Sequence, residues 1–127
     1  MAFVAFVSLL LLMQYMYFMA MVGQARGAAD IQAPAMTGDE TFERNLRVQL
    51  NTLEQLFIAL PAMWICAEYF SSTFAGVMGL TFLVGRFVYR SAYLADPSSR
   101  GKGMMIGFMA NVLLLVTGLW GALGAWL

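Results

Sequence analysis

The stretch from Phe42 to Glu54 reads F-E-R-N-L-R-V-Q-L-N-T-L-E and continues directly into the apolar run Leu56–Ala67. Neither Pro nor Gly separates the two halves, so the sequence predicts a single helix. Four polar residues recur on this helix at spacings of four, four and three and therefore share one face, here called the α2 stripe: Glu43, Arg47, Asn51 and Glu54. An ionisable group inside a bilayer costs roughly 2.5–3.5 kcal/mol or more, so the stripe indicates a functional site.

The composition is that of a membrane protein. Of 127 residues, 61% are hydrophobic and 11% are charged, whereas a soluble domain is typically about 45–50% apolar and about 25% charged. The formal net charge is zero, which argues against nucleic acid as a partner. The chain has one cysteine, Cys66, and no histidine. An intrachain disulfide, a cysteine-based metal cluster and the usual general base are therefore not expected, and no metal is predicted.

Four apolar segments predict one integral membrane domain over residues 1–127, with helices over about 2–22, 41–69, 74–94 and 104–127. The short connections predict an all-α bundle of up-down-up-down topology. Gly23–Glu40 is predicted to be a loop, because Gly23 and Gly27 are expected to break the first helix. A signal peptide is the alternative for residues 2–22, but this run lacks an initial Lys or Arg and exceeds the roughly 7–15 apolar residues of such a peptide.

The basic residues are distributed asymmetrically. All seven fall around the first and third predicted loops: Arg26, Arg44, Arg47, Arg86, Arg90, Arg100 and Lys102. Such a bias predicts that these loops face the cytoplasm and that both termini lie on the opposite side. Topology alone accounts for Arg26 and Lys102. It does not explain why the α2 stripe continues inward at Asn51 and Glu54.

The third predicted helix carries a second polar face at the same depth. Its members are Arg86, Tyr89, Arg90 and Tyr93. Arginine binds carboxylates through paired hydrogen bonds, and a buried glutamate can hold an ammonium group. The combination suits a small zwitterionic ligand with excess negative charge. Because a small bundle has little interior for such a site, we expect it at an interface between subunits of an oligomer.

Three motifs, in this order, resemble the MAPEG family of membrane-associated proteins in eicosanoid and glutathione metabolism. They are E-R-x-x-R-x-Q-x-N-x-x-E at Glu43–Glu54, V-G-R-F-V-Y-R-S-A-Y at Val84–Tyr93, and D-P-S-S-R-G-K-G at Asp96–Gly103. The last two are most similar to the microsomal glutathione transferase type 3 branch. The resemblance implies a homotrimer of four-helix protomers that binds glutathione between protomers, near the cytosolic face.

The resemblance also implies roles for individual residues. Arg26 matches an arginine that reaches a glutathione carboxylate, and Arg100 matches the arginine beside the thiol. Two positions differ from another member of the family: Gln55 replaces an aromatic residue, and Gly27 replaces a second arginine. The implied glutathione-binding set is Arg26, Arg47, Gln49, Asn51, Glu54, Arg86, Tyr89, Tyr93 and Arg100.

Arg100 and Tyr89 are the catalytic candidates. A thiol with a pKa of about 8.5 is mostly protonated at neutral pH, and a neighbouring arginine lowers that pKa. The N–H groups at the start of the fourth helix would add positive potential, and Tyr89 would donate a hydrogen bond to the same sulfur. The expected reaction conjugates the glutathione thiolate to a hydrophobic electrophile that enters from the membrane lipids. Reduction of lipid hydroperoxides is left open as a second activity.

The same residues admit structural interpretations. The α2 stripe can be a polar cluster between helices, and Arg86 can pair with Glu54 or Glu43 to hold the bundle together. Tyr89 and Tyr93 can be plain aromatic residues of the membrane interface.

Two other functions compete with catalysis. A non-catalytic, lipid-binding member of the family would have no use for a cation at the thiol, so Arg100 discriminates against it unless Arg100 only sets the topology. A small four-helix transporter needs an acidic residue in its first membrane helix, and residues 1–25 contain none.

Overall fold

The computed structural model describes residues 1–127 and is almost entirely helical. Its helices are α1 (Ala2–Ala28), α2 (Glu40–Tyr69), α3 (Ser72–Ala95) and α4 (Gly101–Trp126), with a single 3₁₀ turn at Pro97–Ser99. Each of the four long helices is long and apolar enough to cross a membrane. The predicted all-α fold with four membrane-spanning helices is confirmed.

The first helix is longer than the sequence indicated. It ends at Ala28 rather than near residue 22, so Gly23 and Gly27 lie inside it and do not break it. Glycine in a helix interior costs about 1 kcal/mol relative to alanine, which weakens a helix without ending it. Pro61 likewise lies inside α2. At the other loop, α4 begins at Gly101 rather than near residue 104, directly after Arg100.

Side-chain caps fix the start of the two polar helices. The Asp39 carboxylate accepts a hydrogen bond from the Phe42 N–H at 2.9 Å, and the Ser71 hydroxyl accepts one from the Phe74 N–H at 3.1 Å. Each cap satisfies an N–H group that the helix itself leaves without a partner. Asp39 thereby fixes the point at which the α2 stripe begins.

The core lies along the α2–α3 pair, with α1 and α4 packed on its two opposite sides. All four helices contribute to it: Val7, Leu11, Met63, Phe82 and Leu114 are fully buried. Lipid tails are as apolar as these side chains, so close packing rather than the hydrophobic effect holds helices together within a bilayer. The outer surface is apolar as well; Phe57 is 82% exposed and Trp120 is 75% exposed.

Candidate functional site

Arg86 on α3 lies at the centre of the candidate site and is only 1% exposed. Its Nη2 donates to Asn51 Oδ1 at 2.8 Å and to Thr52 Oγ1 at 2.9 Å, and its Nε donates to Thr52 Oγ1 at 3.2 Å. The guanidinium also lies 4.1 Å from the centre of the Tyr89 ring. We call Arg86, Asn51, Thr52 and Tyr89 the Arg86 cluster.

Arg86 has no acidic partner. The two ion pairs of the structure are Arg44–Glu40 and Arg47–Glu54, so the interpretation in which Arg86 pairs with Glu54 or Glu43 is wrong. Asn51 and Thr52 satisfy the Nε and Nη2 donors through neutral oxygens, and the Tyr89 ring is also neutral, so no negative charge balances the buried guanidinium. An uncompensated charge in a medium of low dielectric constant attracts an anion strongly.

A polar groove lies between the start of α2 and the end of α3. It encloses about 540 Å³ and is lined by Gly38, Asp39, Glu40, Glu43, Arg44, Arg47, Tyr93 and Pro97. The Tyr93 ring stacks on the Tyr89 ring with the centroids 5.6 Å apart, so the groove and the Arg86 cluster adjoin. The groove presents cationic, anionic and phenolic groups together.

Arg47 and Glu54 form an open face of the α2 stripe. Arg47 Nη1 lies 3.7 Å from Glu54 Oε1, while 53% and 62% of these side chains are exposed. An ion pair this exposed contributes about 0–1 kcal/mol to stability. The Arg47–Glu54 pair therefore adds little to the stability of the protomer, which favours a functional role for these two charges.

The start of α4 is held against Tyr89. Gly103 packs directly on the α3 backbone, and a Cβ atom there would lie 2.2 Å from the Tyr89 backbone nitrogen. Only glycine permits this approach. Arg100, one turn before Gly103, is exposed and donates from Nη1 to the Pro97 carbonyl at 2.9 Å. The structure thus brings the α4 N-terminus to the level of Tyr89, while the Arg100 side chain forms no hydrogen bond with Tyr89 or with the α2 stripe.

The connection that carries Arg100 is ordered by Asp96. Ser98 donates to the Asp96 carboxylate from its hydroxyl at 2.8 Å and from its N–H at 3.1 Å. These hydrogen bonds, the hydroxyl first, hold the pKa of Asp96 below its usual value. The Ser99 hydroxyl donates to the carbonyls of Ala92 and Asp96. This network sets the position of the α4 N-terminus relative to α3.

Three predicted site residues point elsewhere within one protomer. Arg26 donates to the Ala35 carbonyl at 2.8 Å and lies 4.6 Å from the Phe42 ring centre. Gln49 donates to the Tyr15 hydroxyl on α1 at 3.1 Å. Arg100 is the third. Within one protomer, contacts connect Arg47 with Glu54, Arg86 with Asn51 and Tyr89, and Tyr89 with Tyr93. Arg26, Gln49 and Arg100 form no hydrogen bond with any of these residues.

Sequence reasoning missed two members of the polar network. Thr52 is fully buried and accepts two hydrogen bonds from Arg86. The sequence feature that could have identified it is a hydroxyl residue next to Asn51, on the side of α2 that faces α3. Asn111 on α4 donates from Nδ2 to Gln55 Oε1 at 3.2 Å, while its own Oδ1 is buried without a partner. The structure contains no group of three potential metal-ligating acidic, cysteine or histidine side chains.

The fold and this arrangement define a four-helix integral membrane protein with a polar site built from α2 and α3 near one end of the bundle. The MAPEG family model matches residues 4–120, and the chain belongs to the MAPEG family.

Similar proteins include two with a functional name. Microsomal glutathione S-transferase 2 of Homo sapiens is 37% identical over 120 residues, which are 94% of this chain and 80% of that protein. Microsomal glutathione S-transferase 2 of Bos taurus is 32% identical over 123 residues, 97% of this chain and 84% of that protein. An uncharacterized protein of Synechocystis sp. is 39% identical over 112 residues, 88% and 82% of the two chains. These mammalian relatives are named type 2, whereas the sequence motifs indicated type 3.

Proposed function

We propose that this protein is a membrane-bound glutathione transferase that conjugates the glutathione thiolate to lipophilic electrophiles. The observation that carries the proposal is the buried Arg86 guanidinium, which has neutral partners only and lies behind a groove that contains Arg47 and Tyr93. Membership of the MAPEG family and the names of the mammalian relatives support glutathione as the co-substrate.

The charges of the site suit this tripeptide. Glutathione carries two carboxylates and one ammonium group, with a thiol between them. Arg47 and Arg86 supply cationic groups for carboxylates, and Glu54 supplies an anionic group for the ammonium. Asn51 lies on the α2 stripe with Arg47 and Glu54, and its side-chain oxygen accepts a hydrogen bond from Arg86, so it connects the stripe to the buried guanidinium. We assign these residues, with Tyr89 and Tyr93, to glutathione binding.

We further propose that the site is completed by a neighbouring protomer of a homotrimer. Arg47 and Glu54 are more than half exposed within one protomer, and the side chains of Arg26, Gln49 and Arg100 donate hydrogen bonds to groups outside the Arg86 cluster. A neighbour that packs against the α2 stripe can bury the first pair. It can also bring its own Arg26, Gln49 and Arg100 to the same glutathione.

Arg100 and Tyr89 are proposed to activate the thiol. A cation at the sulfur, together with the N–H groups of an α-helix N-terminus, favours the thiolate and removes the need for a general base. Tyr89 would stabilise the same sulfur by hydrogen bonding. The thiolate then forms a bond to an electrophilic carbon, while the leaving group departs with the displaced electron pair. The thiolate can also attack the oxygen of a hydroperoxide, releasing an alcohol, with a second glutathione completing the reduction to the disulfide and water.

Glutathione titration of the purified protein in detergent tests the proposal. We expect saturable binding by calorimetry, an ultraviolet thiolate signal near pH 7, and conjugation of a chloro-nitroarene. Arg100→Ala should abolish the thiolate signal, and Arg100→Lys should restore part of it because the positive charge returns. Absence of glutathione binding by the wild-type protein would overturn the enzyme assignment.

The membrane orientation belongs to the same proposal. All seven basic residues lie toward the end of the bundle where α1 and α3 finish and α2 and α4 begin. The positive-inside rule then places the site near the cytoplasmic face and both termini on the opposite side. A C-terminal fusion to a reporter that is active only outside the cytoplasm should show activity. A reporter inserted after Pro34, in the first loop, should not.

A further inference from the structure

A second, apolar groove runs along the outer face of α3 and α4. It encloses about 640 Å³, begins at Gly101 and Lys102 in the first turn of α4, and ends at Leu113. Six of its nine lining residues are hydrophobic, and three of these are methionines: Met78, Met105 and Met109. Neither α2 nor any member of the Arg86 cluster lines it, and it shares no lining residue with the polar groove described above.

The length of the groove matches one leaflet of a bilayer. From Lys102 to Leu113 the rise along α4 is about 16 Å. The hydrocarbon core of a bilayer is about 30 Å thick, so one leaflet contributes about half of that. A groove that starts at the charged end of the bundle and stops after about 16 Å therefore spans the depth of a single acyl chain.

Lys102, at the mouth of this groove, is alone among the seven basic residues in having no partner. It is exposed and forms neither an ion pair nor a hydrogen bond. The other six are held by a carboxylate, a side-chain oxygen or a carbonyl: Arg26, Arg44, Arg47, Arg86, Arg90 and Arg100. The other polar residue of the groove wall, Thr81, donates its hydroxyl to the Val77 carbonyl of its own helix at 2.9 Å. The groove thus offers one free cation above an apolar channel.

We propose that this groove is a binding site for an anionic phospholipid, with one acyl chain along α3 and α4 and the acidic headgroup at Lys102. Anionic lipids are concentrated in the leaflet on the basic side of membrane proteins, and each nearby basic residue attracts them measurably. The apolar wall and the single cation together match the two halves of one lipid.

Native mass spectrometry of the protein in mild detergent tests this site, with phosphatidylglycerol and phosphatidylcholine of identical acyl chains as the probes. We expect the wild-type protein to retain phosphatidylglycerol roughly five-fold better. Lys102→Gln should remove that preference, and Lys102→Arg should keep it. Met109→Trp fills the groove and should lower retention of both lipids, whereas Met16→Trp, on the exposed face of α1, should not.

Three outcomes would overturn the proposal. The first is equal retention of the two lipids by the wild-type protein. The second is a preference for phosphatidylglycerol that survives Lys102→Gln. The third is a change of oligomeric mass in Met109→Trp without a change of lipid retention, which would show that a second copy covers the groove. Glutathione binding is measured in the same samples and should be unaffected by Lys102→Gln, so a failure here is distinguishable from a failure of the proposed function.

Discussion

At the scale of single residues, the site depends on how α2 accommodates a buried guanidinium. Thr52 is the partner that Arg86 contacts with both Nε and Nη2, and it accepts these bonds while donating its own hydroxyl hydrogen to the Val48 carbonyl at 2.7 Å. This doubly used hydroxyl fixes the guanidinium plane, and with it the position of the positive charge behind the polar groove.

Replacing Thr52 by valine tests this role, since valine keeps the shape and removes the hydroxyl. Hydrogen bonds between membrane helices contribute about 0.6 kcal/mol on average and up to about 1.7 kcal/mol. We expect Thr52→Val to lie at the upper end, because Arg86 is charged and buried. Thermal unfolding in detergent measures the loss. Thr81→Val is the matched control, because Thr81 bonds only within its own helix; equal losses for the two variants would contradict the assigned role.

The residues of α2 also show how far sequence reasoning reaches. Helical spacing placed Arg47, Asn51 and Glu54 on one face, and the structure has them there, with Arg47 and Glu54 paired. Spacing could not identify the partner of Arg86, because that depends on which side of α2 faces α3 and on the reach of a long side chain. Charge attraction favoured Glu54, yet Glu54 is exposed and the buried oxygens of Asn51 and Thr52 are nearer.

At the scale of helices, the contact between α3 and α4 decides where the α4 N-terminus lies. Gly103→Ala would place a Cβ atom 2.2 Å from the Tyr89 backbone nitrogen, and backbone cannot yield as a flexible side chain can. Overpacking of this kind costs about 1–3 kcal/mol. We therefore expect α4 to move away from α3, the apparent melting temperature to fall and the thiolate signal to weaken, since Arg100 moves with the helix.

Gly101→Ala is the control for that experiment. Gly101 lies in the same turn of α4, but a Cβ atom there meets nothing within 4 Å. Alanine should therefore be neutral or slightly stabilising, as it is favoured over glycine in a helix by up to about 1 kcal/mol. Similar losses in both variants, measured by melting temperature and by glutathione titration, would show that the Gly103 contact does not position the site.

Helix ends were the least predictable part of the fold. Gly23 and Gly27 indicated a loop, but both lie in α1, where a Cβ atom would meet nothing within 4 Å. Their cost of about 1 kcal/mol each is local, whereas the helix forms one backbone hydrogen bond per residue, and in a medium without water these groups have no other partner. The number and order of the helices were predictable, because an apolar segment long enough to cross a bilayer forms a helix that satisfies its own backbone hydrogen bonds.

At the scale of the whole molecule, the proposed site divides between protomers. One protomer supplies Arg47, Glu54 and the Arg86 cluster, and the neighbour would supply Arg100. This division predicts complementation between two inactive variants, Arg47→Ala and Arg100→Ala. When the two are coexpressed in equal amounts and assemble at random, about one quarter of the interfaces combine an intact Arg47 with an intact Arg100.

Purification through two different affinity tags keeps only mixed trimers, and each of these has one intact interface out of three, so we expect about one third of the wild-type conjugation rate. Arg47→Ala coexpressed with Glu54→Ala is the control. These two residues lie 3.7 Å apart on the same helix, so every α2 stripe in such a mixture carries one of the two changes and no complete site forms. If the first mixture is no more active than the control, Arg47 and Arg100 act within one protomer, and the site must be completed by a movement of α4 rather than by a neighbour.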